Sequence, residues 1–314
     1  FATIGQLVAW LREERFDIVM SWMSTGHLYG APAAMLAGIP NVWWQWGFAD
    51  RSVVERMVEW MPSAQTFCCS AAVERRQSKL APRISRAVIL PGIDLELCHP
   101  DLLPSMRQQR AALGLPEDGV IVGMVGRLQR WKGMDVFVDA AAMIARERSD
   151  VNFVVVGGPH ALEPGYPEEL ARRIAGHGLT DRVRLTGFQS APAAWMNACD
   201  VVVHASITPE PFGIVILEAM ALGKVVIASA AGGPLEVVVH GVNGFLSPPG
   251  DAAELANTIR HALAVGIDNP EMRSQARLTA GRFSMEHFAT EVAQHLRRIV
   301  QRTASPSGSR NSSR

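Results

Sequence analysis

The sequence predicts an α/β fold of two Rossmann-like domains, each built on a parallel sheet with helices on both faces. Short, almost wholly apolar runs alternate with stretches of helical spacing along most of the chain. Turn-forming residues interrupt this alternation around 91–104. The 314 residues, 48% of them hydrophobic, suffice for two cores. We therefore expect two domains, 1–104 and 105–282, that face each other across a cleft.

The first domain begins with a helix-like pattern at Ile4, Leu7, Val8 and Leu11. Apolar runs then predict strands at 17–22, 41–46, 64–69 and 87–90, and helices near 28–38, 50–60 and 70–80. A complete domain of this kind needs one or two more βα units of roughly thirty residues each. Because the chain also starts with Phe1 inside a pattern, we expect this domain to be partial.

The second domain is predicted from five apolar runs. They lie at 120–125, 152–156, 183–185, 201–204 and 225–228. Asp251 and Glu254 have the spacing of a capping box at the start of a late helix. A last helix at 283–301 is expected to pack back toward the first domain. Residues 302–314 are poor in apolar side chains and are predicted to be disordered.

Composition excludes several classes of partner and site. Thirty basic and thirty acidic residues give a formal net charge of zero, which argues against nucleic acid. The four cysteines lack C-x-x-C spacing, so they predict neither a zinc site nor a disulfide framework. Because no apolar run approaches the roughly 18–20 residues of a membrane span, we expect a cytoplasmic protein.

A basic stretch surrounds the predicted helix at 70–80. It consists of Arg75, Arg76, Lys79, Arg83 and Arg86. One interpretation is a solvated helix face. The alternative is a contact with anionic lipid head groups, which would make the protein peripheral at the inner face of a membrane.

The first segment that carries chemistry follows the strand at 120–125. It reads Gly126-Arg127-Leu128-Gln129-Arg130-Trp131-Lys132-Gly133. In an open parallel sheet, ligands bind beyond the carboxyl ends of the strands, which is where these cations lie. The planar fork of Arg127 and the flexible charge of Lys132 suit a diphosphate, and Gly126 allows close approach of the backbone. A solvated basic loop is the alternative.

The second segment follows the strand at 201–204 and opens a helix. The free amides at Gly213, Ile214 and Val215 predict an anion site. Glu218 lies inside the helix among apolar neighbours, so we expect it to have a hydrogen-bonding partner such as a ribose diol. Glu210 would bind sugar hydroxyls or offset positive charge at an anomeric carbon. An exposed loop glutamate is the alternative.

Five consecutive segments resemble the motifs of glycosyltransferase family 4, whose members have the GT-B fold. They are GRLQRWKG, VVVGG, VRLTGF, ASITPEPFGIVILEAMALGKVVIAS and AGGPLEVVVHGVNGFL. The resemblance implies a retaining transfer from a nucleoside-diphosphate sugar, which serves as co-substrate, with no cofactor and no metal. The sequence is consistent with this, since no Asp-x-Asp pair follows a strand.

The resemblance also implies residue roles. Arg127 and Lys132 would bind the donor diphosphate, Glu218 the ribose and Glu210 the transferred sugar, with Arg127, Lys132 and Glu210 forming the catalytic set. The phosphates and sugar would be lined by Phe212, Gly213, Ile214 and Val215. The base would lie against loops that contain Gly158 and Leu185, and Gly126 would join the donor-binding residues.

The first domain resembles the family less closely. Family members often have a histidine, which contacts the donor sugar or the acceptor, where this chain has Trp46. His27 is the nearest substitute on the acceptor side, and a helix-start histidine without a ligand role is the alternative. Among Trp43, Trp44 and Trp46, strand alternation predicts that one ring is core and another stacks on a sugar. The implied acceptor is a glycan or a lipid-linked molecule of cell-envelope polysaccharide or glycolipid biosynthesis.

Three other functions remain as alternatives. A nucleotide-sugar epimerase or a phosphorylase would share the two-domain plan. A nucleotide-sugar-binding protein without catalysis would fit the departure at Trp46. A nicotinamide dehydrogenase is disfavoured, because no G-x-G-x-x-G segment follows a strand.

Overall fold

The computed structural model describes residues 2–48, 53–80 and 82–304. It divides into two compact α/β units, one formed by Phe1–Gly92 with the segment that starts at Glu286, the other by Ile93–Met285. Each unit contains one parallel sheet, which confirms the predicted fold class. The change of unit falls inside the turn-rich segment at 91–104.

The first unit has a four-stranded sheet in the order β1-β2-β3-β4. Its elements are α1 (Ala2–Glu13), β1 (Val19–Trp22), α2 (Met23–Ala37), β2 (Asn41–Gln45), α3 (Val53–Glu59), β3 (Gln65–Cys68), α4 (Ala71–Leu80) and β4 (Arg86–Val88). Strand β2 lies between β1 and β3, so all five of its residues are buried. Trp44 and Phe67 lie at the centre of one core cluster.

The second unit has a six-stranded sheet in the order β10-β9-β8-β5-β6-β7. Its strands are β5 (Val120–Val125), β6 (Val151–Val156), β7 (Val183–Leu185), β8 (Val201–His204), β9 (Val225–Ser229) and β10 (Phe245–Ser247). Its helices are α5 (Met106–Leu113), α6 (Met134–Ala145), α7 (Tyr166–Gly176), α8 (Pro192–Ala198), α9 (Ile214–Ala221), α10 (Pro234–Val237), α11 (Ala252–Val265) and α12 (Pro270–Gly281).

The strand order of the second sheet creates a switch point at β5. The chain continues from β5 to β6 on one side, and β8 pairs with β5 on the other. In such sheets the crevice beyond the carboxyl ends of the strands at the switch point is where ligands bind. The loops that follow β5 and β8 flank this crevice.

A buried ion pair lies at the amino ends of the central strands of this sheet. Asp200 Oδ2 accepts hydrogen bonds from the Arg110 guanidinium at 2.6 Å and from the Ile121 amide at 2.7 Å. Arg110 Nε also donates to the Ala198 carbonyl at 2.9 Å. These bonds tie the amino ends of β5 and β8 together.

A last helix, α13 (Met285–Ala304), packs on the sheet of the first unit. Its contacts with that core come from Phe288, Val292, Leu296 and Ile299. The helix includes 302–304, which the sequence predicted as the start of a disordered tail. Thr303 Oγ1 donates to the Ile299 carbonyl at 2.8 Å, as helical spacing allows. Residues 305–314 of the predicted tail lie outside the described residues.

Most predicted elements are observed, with shifted ends. Helix α2 begins at Met23 rather than near 28. The predicted helix at 50–60 is observed as α3 from Val53, and residues 49–52 lie outside the described residues. Strand β10 was not predicted. In the part of the chain that the structure describes, none of the helices combines the length and apolarity needed to span a membrane.

Candidate functional site

Two loops of the second unit meet beyond the carboxyl ends of β5 and β8. A short 3-10 turn at Arg130–Lys132 ends at Gly133, whose φ is +75°. A Cβ at this position would lie 2.1 Å from the Ala205 carbonyl oxygen, so only glycine permits this approach. The Ile207 amide also donates to the Trp131 carbonyl at 2.8 Å. The two loops are thus held together through their backbones.

This approach brings Lys132 to Glu210. The Lys132 ammonium lies 2.6 Å from Glu210 Oε2, and the two side chains are only 17% and 8% exposed. The backbone of Glu210 is fixed as well, since its amide donates to the Ala231 carbonyl and its carbonyl accepts from Gly233. The sequence predicted both residues for the site, and the structure brings them into direct contact.

Two further groups donate to the same carboxylate oxygen. His204 Nε2 and Ser206 Oγ each lie 2.9 Å from Glu210 Oε2. Both side chains are buried. His204 is the last residue of β8, and Ser206 lies in the loop that follows. Glu210 Oε2 therefore accepts from three donors, of which Lys132 follows β5 and His204 and Ser206 lie at the end of β8 and just beyond it.

This environment sets the charge of the pair. Burial raises the pKa of Glu210, but the hydrogen bond from His204 and the charge of Lys132 outweigh it and hold the pKa at about 2. Burial lowers the pKa of Lys132, against the opposing effect of Glu210. At neutral pH Glu210 is a carboxylate whose charge is already compensated by the protein.

Arg127 has a different environment. Its side chain is exposed, and among the described residues nothing forms a hydrogen bond or an ion pair with its guanidinium. Its positive charge contributes to the lowered pKa of Lys132, so the two cations lie within electrostatic range of each other. Two cations at one strand end form a positive field in which only Lys132 has an internal partner.

The two predicted base-side residues, Gly158 and Leu185, and the predicted donor-binding residue Gly126 lie at the carboxyl ends of three neighbouring strands. Gly126 follows β5, Gly158 lies after β6, and Leu185 ends β7. A Cβ at Gly157 would lie 1.8 Å from the Gly126 carbonyl oxygen, and the Leu128 amide donates to the Gly158 carbonyl at 2.9 Å. The backbones of these loops therefore pack directly on each other.

Helix α9 begins next to Glu210. Gly213 has a φ of +93° and precedes the first helical residue, Ile214. The first amides of a helix have no partner within it and carry partial positive charge. Ile214 and Val215 are partly exposed, whereas the ring of Phe212 is buried against Phe283 at 6.0 Å. The ring of Phe212 therefore belongs to the core rather than to the lining of a ligand site.

Glu218 lies in the middle of α9 and is half-buried. Within the described ranges, its carboxylate forms neither a hydrogen bond nor an ion pair with the protein. Burial raises its pKa as a consequence. The partner that the sequence led us to expect is absent from the described part of the chain, which is consistent with a ligand hydroxyl in that role.

In the first unit, His27 lies inside the core rather than on a surface. Its side chain is 0% exposed and stacks on Trp43, with ring centroids 4.8 Å apart and planes at 7°. Burial lowers its pKa to about 4, so the imidazole is neutral at physiological pH. It lies within α2 and not at its start. This packing favours the alternative of a histidine without a ligand role.

Trp46 directly follows β2 and is half-buried. Its ring stacks on Trp22 at 5.2 Å and on Trp44 at 5.9 Å. Trp43 and Trp44 are both fully buried, on opposite faces of β2. Of the three tryptophans in this segment, Trp46 is the one that retains exposed surface.

Metal-ligating side chains are dispersed. In the residues with described positions, His, Cys, Asp and Glu do not form a group of three or more that could hold a metal ion. The expectation of a metal-independent reaction stays a prediction.

The sequence interpretation missed His204 and Ser206. Both are polar residues at or just beyond the carboxyl end of an apolar strand, six and four residues before Glu210. The rule that singled out Arg127 and Lys132 applies equally to them. Their position in the sequence was therefore a usable signal.

The model of the family described as "Glycosyl transferases group 1" matches residues 105–279. This range contains both loops, helix α9 and both glutamates. The α/β architecture with two parallel sheets is that of GT-B glycosyltransferases.

Individual proteins are similar over longer ranges. The D-inositol 3-phosphate glycosyltransferase of Mycobacterium leprae is 32% identical over 93% of this chain and 67% of its own length. That of Jonesia denitrificans is 35% identical over 65% of this chain, and the match spans 49% of its length.

Among solved structures, Anabaena Alr3699/HepE in complex with UDP and glucose is 30% identical, with a TM-score of 0.85. The match covers 94% of this chain and 81% of that chain. The geometry of the two loops and the match over 105–279 lead to one conclusion: this chain belongs to the group 1 glycosyl transferases.

Proposed function

We propose that this protein transfers a sugar from a nucleoside-diphosphate sugar to an acceptor hydroxyl with retention of anomeric configuration. The observation that carries this proposal is the cluster beyond β5 and β8. There an ionised, buried Glu210 contacts Lys132 just before the first amides of α9. Arg127, whose guanidinium has no partner among the described residues, lies within electrostatic range of Lys132. Such a cluster combines anion-binding groups with one fixed negative charge.

Each group has a chemical task in this reaction. The bond between the anomeric carbon and the diphosphate oxygen breaks, and Arg127, Lys132 and the α9 amides stabilise the charge on the departing diphosphate. The acceptor oxygen bonds to the same face of the sugar, and its proton passes to the departing diphosphate. Glu210 holds sugar hydroxyls and offsets positive charge at the anomeric carbon. Glu218 accepts hydrogen bonds from the ribose.

A uridine nucleotide is the first donor to test, because the structures of Alr3699/HepE were solved with UDP, UDP and glucose, or UDP-glucose. We propose a glycan or lipid-linked acceptor of glycolipid or cell-envelope polysaccharide biosynthesis. Around α4, Arg75, Lys79 and Arg83 are exposed, which supports an acceptor with anionic groups and peripheral contact with a membrane. Arg86 instead pairs with Glu74 at 2.9 Å.

The test is a transfer assay with UDP-glucose and other UDP-sugars. D-inositol 3-phosphate, the compound in the names of the relatives, and a lipid-linked oligosaccharide serve as acceptors. We expect acceptor-dependent release of UDP, a product with the donor's anomeric configuration by NMR, and no loss of rate in EDTA. Epimerisation without acceptor, or binding without transfer by every pair, would contradict the proposal.

A further inference from the structure

The three donors on Glu210 Oε2 differ in where they come from. His204 and Ser206 precede Glu210 by six and four residues and belong to the same strand and loop. Lys132 comes from the other loop, after β5. In the function proposed above, Lys132 also binds the donor diphosphate. It must then divide its hydrogen bonds between the phosphate and Glu210, whereas His204 and Ser206 have no such second task.

The end of β8 is itself firmly held. Ser229 Oγ donates to the Ser206 carbonyl at 2.7 Å and lies 3.3 Å from the His204 carbonyl oxygen. Ser229 ends β9, the neighbouring strand. His204 and Ser206 therefore present their side chains from a backbone that is fixed by β9, which makes them suitable for orienting a third group.

The proton on His204 can be assigned from its contacts. A carboxylate oxygen only accepts, so a ring nitrogen 2.9 Å from Glu210 Oε2 must donate. Nε2 therefore carries the proton. Nδ1 is buried and lacks a hydrogen-bond partner among the residues that the structure describes. A buried donor without a partner is costly, so the Nε2–H tautomer is the arrangement that fits.

We propose that His204, assisted by Ser206, is a positioning residue for the transfer reaction. It holds Oε2 of Glu210 while Lys132 engages the diphosphate, so that Oε1 is presented to the transferred sugar. The inference rests on the proposed function, because it assigns Glu210 to the sugar. It adds a residue that never touches the substrate but fixes the one that does.

The decisive comparison uses His204→Phe and His204→Gln. Phenylalanine keeps the ring volume but removes the donor, and glutamine restores an N–H near the position of Nε2. For His204→Phe we expect an unchanged affinity for UDP and a loss of the extra affinity that UDP-glucose has over UDP, both by titration calorimetry. We expect kcat to fall about 10- to 100-fold, the range for groups that orient a functional side chain. His204→Gln should recover most of both.

A pH profile separates positioning from a purely structural role. The charged and titratable groups that face Glu210 are Lys132 and His204, with Arg127 acting on Lys132. Removing the hydrogen bond from His204 raises the pKa of Glu210, so the acid limb of kcat should move to higher pH in His204→Phe. It should stay in place in His204→Gln. Equal profiles and equal UDP-glucose to UDP affinity ratios in all three proteins would overturn the inference.

Further measurements test the role of His204 if the protein shows no transfer activity or if a variant does not fold. Wild-type protein that binds UDP-glucose without transfer contradicts the proposed function, and the affinity ratio still decides the role of His204. If neither nucleotide binds, 15N NMR of the imidazole decides. We expect Nε2 to be protonated and its shift to change in Glu210→Gln, and a protonated Nδ1 would overturn the inference. If His204→Phe does not fold, Ser206→Ala should lower the same affinity ratio, against Ser206→Thr as control.

Discussion

Glu210 precedes helix α9 and Glu218 lies within it, and the two carboxylates differ in burial and in hydrogen-bond partners. Glu210 is buried and accepts from Lys132, His204 and Ser206, which holds its pKa at about 2. Glu218 is half-buried, has no partner among the described residues, and has a raised pKa because of burial. The Glu210 carboxylate thus has hydrogen-bond donors within the protein, whereas the Glu218 carboxylate has none among the described residues. We therefore expect the substitution of glutamate by glutamine to have different effects at the two positions.

The largest expected difference is in turnover. Glu210→Gln removes the fixed negative charge and should lower kcat about 10²- to 10³-fold, the size found when one preorganised group is removed from an active site. Affinity for UDP should not fall, because the phosphate-binding groups remain. Steady-state kinetics and calorimetry measure the two. Equal losses in both would assign Glu210 to general binding or folding.

The second prediction concerns stability against pH. The folded pKa of Glu210, about 2, lies below its ordinary value of 4.5. Its ionisation therefore stabilises the fold above pH 4.5, and this contribution disappears as the pH falls toward 2. A shift of this size corresponds to about 3 kcal/mol. Urea unfolding should show Glu210→Gln less stable than wild type at pH 7, with the gap closing at acid pH. A gap independent of pH would contradict the lowered pKa.

The third prediction tests the two cations proposed to bind the diphosphate, Arg127 and Lys132. Arg127→Ala and Lys132→Ala should each weaken UDP binding by about 1–3 kcal/mol, the cost of a charged hydrogen bond. Arg130→Ala is the matched control, because this cation belongs to the same loop but pairs with Glu169 at 2.5 Å. It should leave the calorimetric affinity unchanged. If only Arg130→Ala lowered the affinity, the phosphate site would have to be assigned to Arg130 instead of Arg127 and Lys132.

The smallest effect is expected for Glu218→Gln. An amide still accepts hydrogen bonds, so UDP affinity should fall by only about 1 kcal/mol. Because the folded pKa of Glu218 is raised, its ionisation opposes folding as the pH rises through that pKa. The variant should therefore be slightly more stable than wild type at pH 7, by less than about 1 kcal/mol, and equal to it near pH 4. Thermal unfolding at the two pH values checks the sign.

The second sheet was largely predictable because its signal is local. The bounds of β5, β7 and β8 agree with the prediction, since their runs are mostly apolar and are followed by polar or turn-forming residues. Strand β10 was not predicted from the sequence because it has only three residues and lies between glycines and prolines. The start of α2 was missed because Trp22 and Met23 continue the apolar run of β1, which hides the change of periodicity.

The site was predictable only to the level of residue type at a strand end. That rule singled out Arg127, Lys132 and Glu210, whereas Glu218 was singled out as a carboxylate among apolar neighbours in a helix. It could not show that Lys132 and Glu210 touch, because the contact depends on backbone packing at Gly133 and Ala205. It also could not show the orientation of the His27 side chain. In the structure this side chain is buried against Trp43.

The Lys132–Glu210 bond has a consequence for the end of a catalytic cycle. An empty site with two bare cations would hold a nucleoside diphosphate tightly and release it slowly. In the function proposed here, Lys132 binds the donor diphosphate, and the departing product leaves an ammonium whose charge Glu210 already compensates at 2.6 Å. Product release is then an exchange of one anion for another at Lys132, and Glu210 acts as an internal competitor of the product.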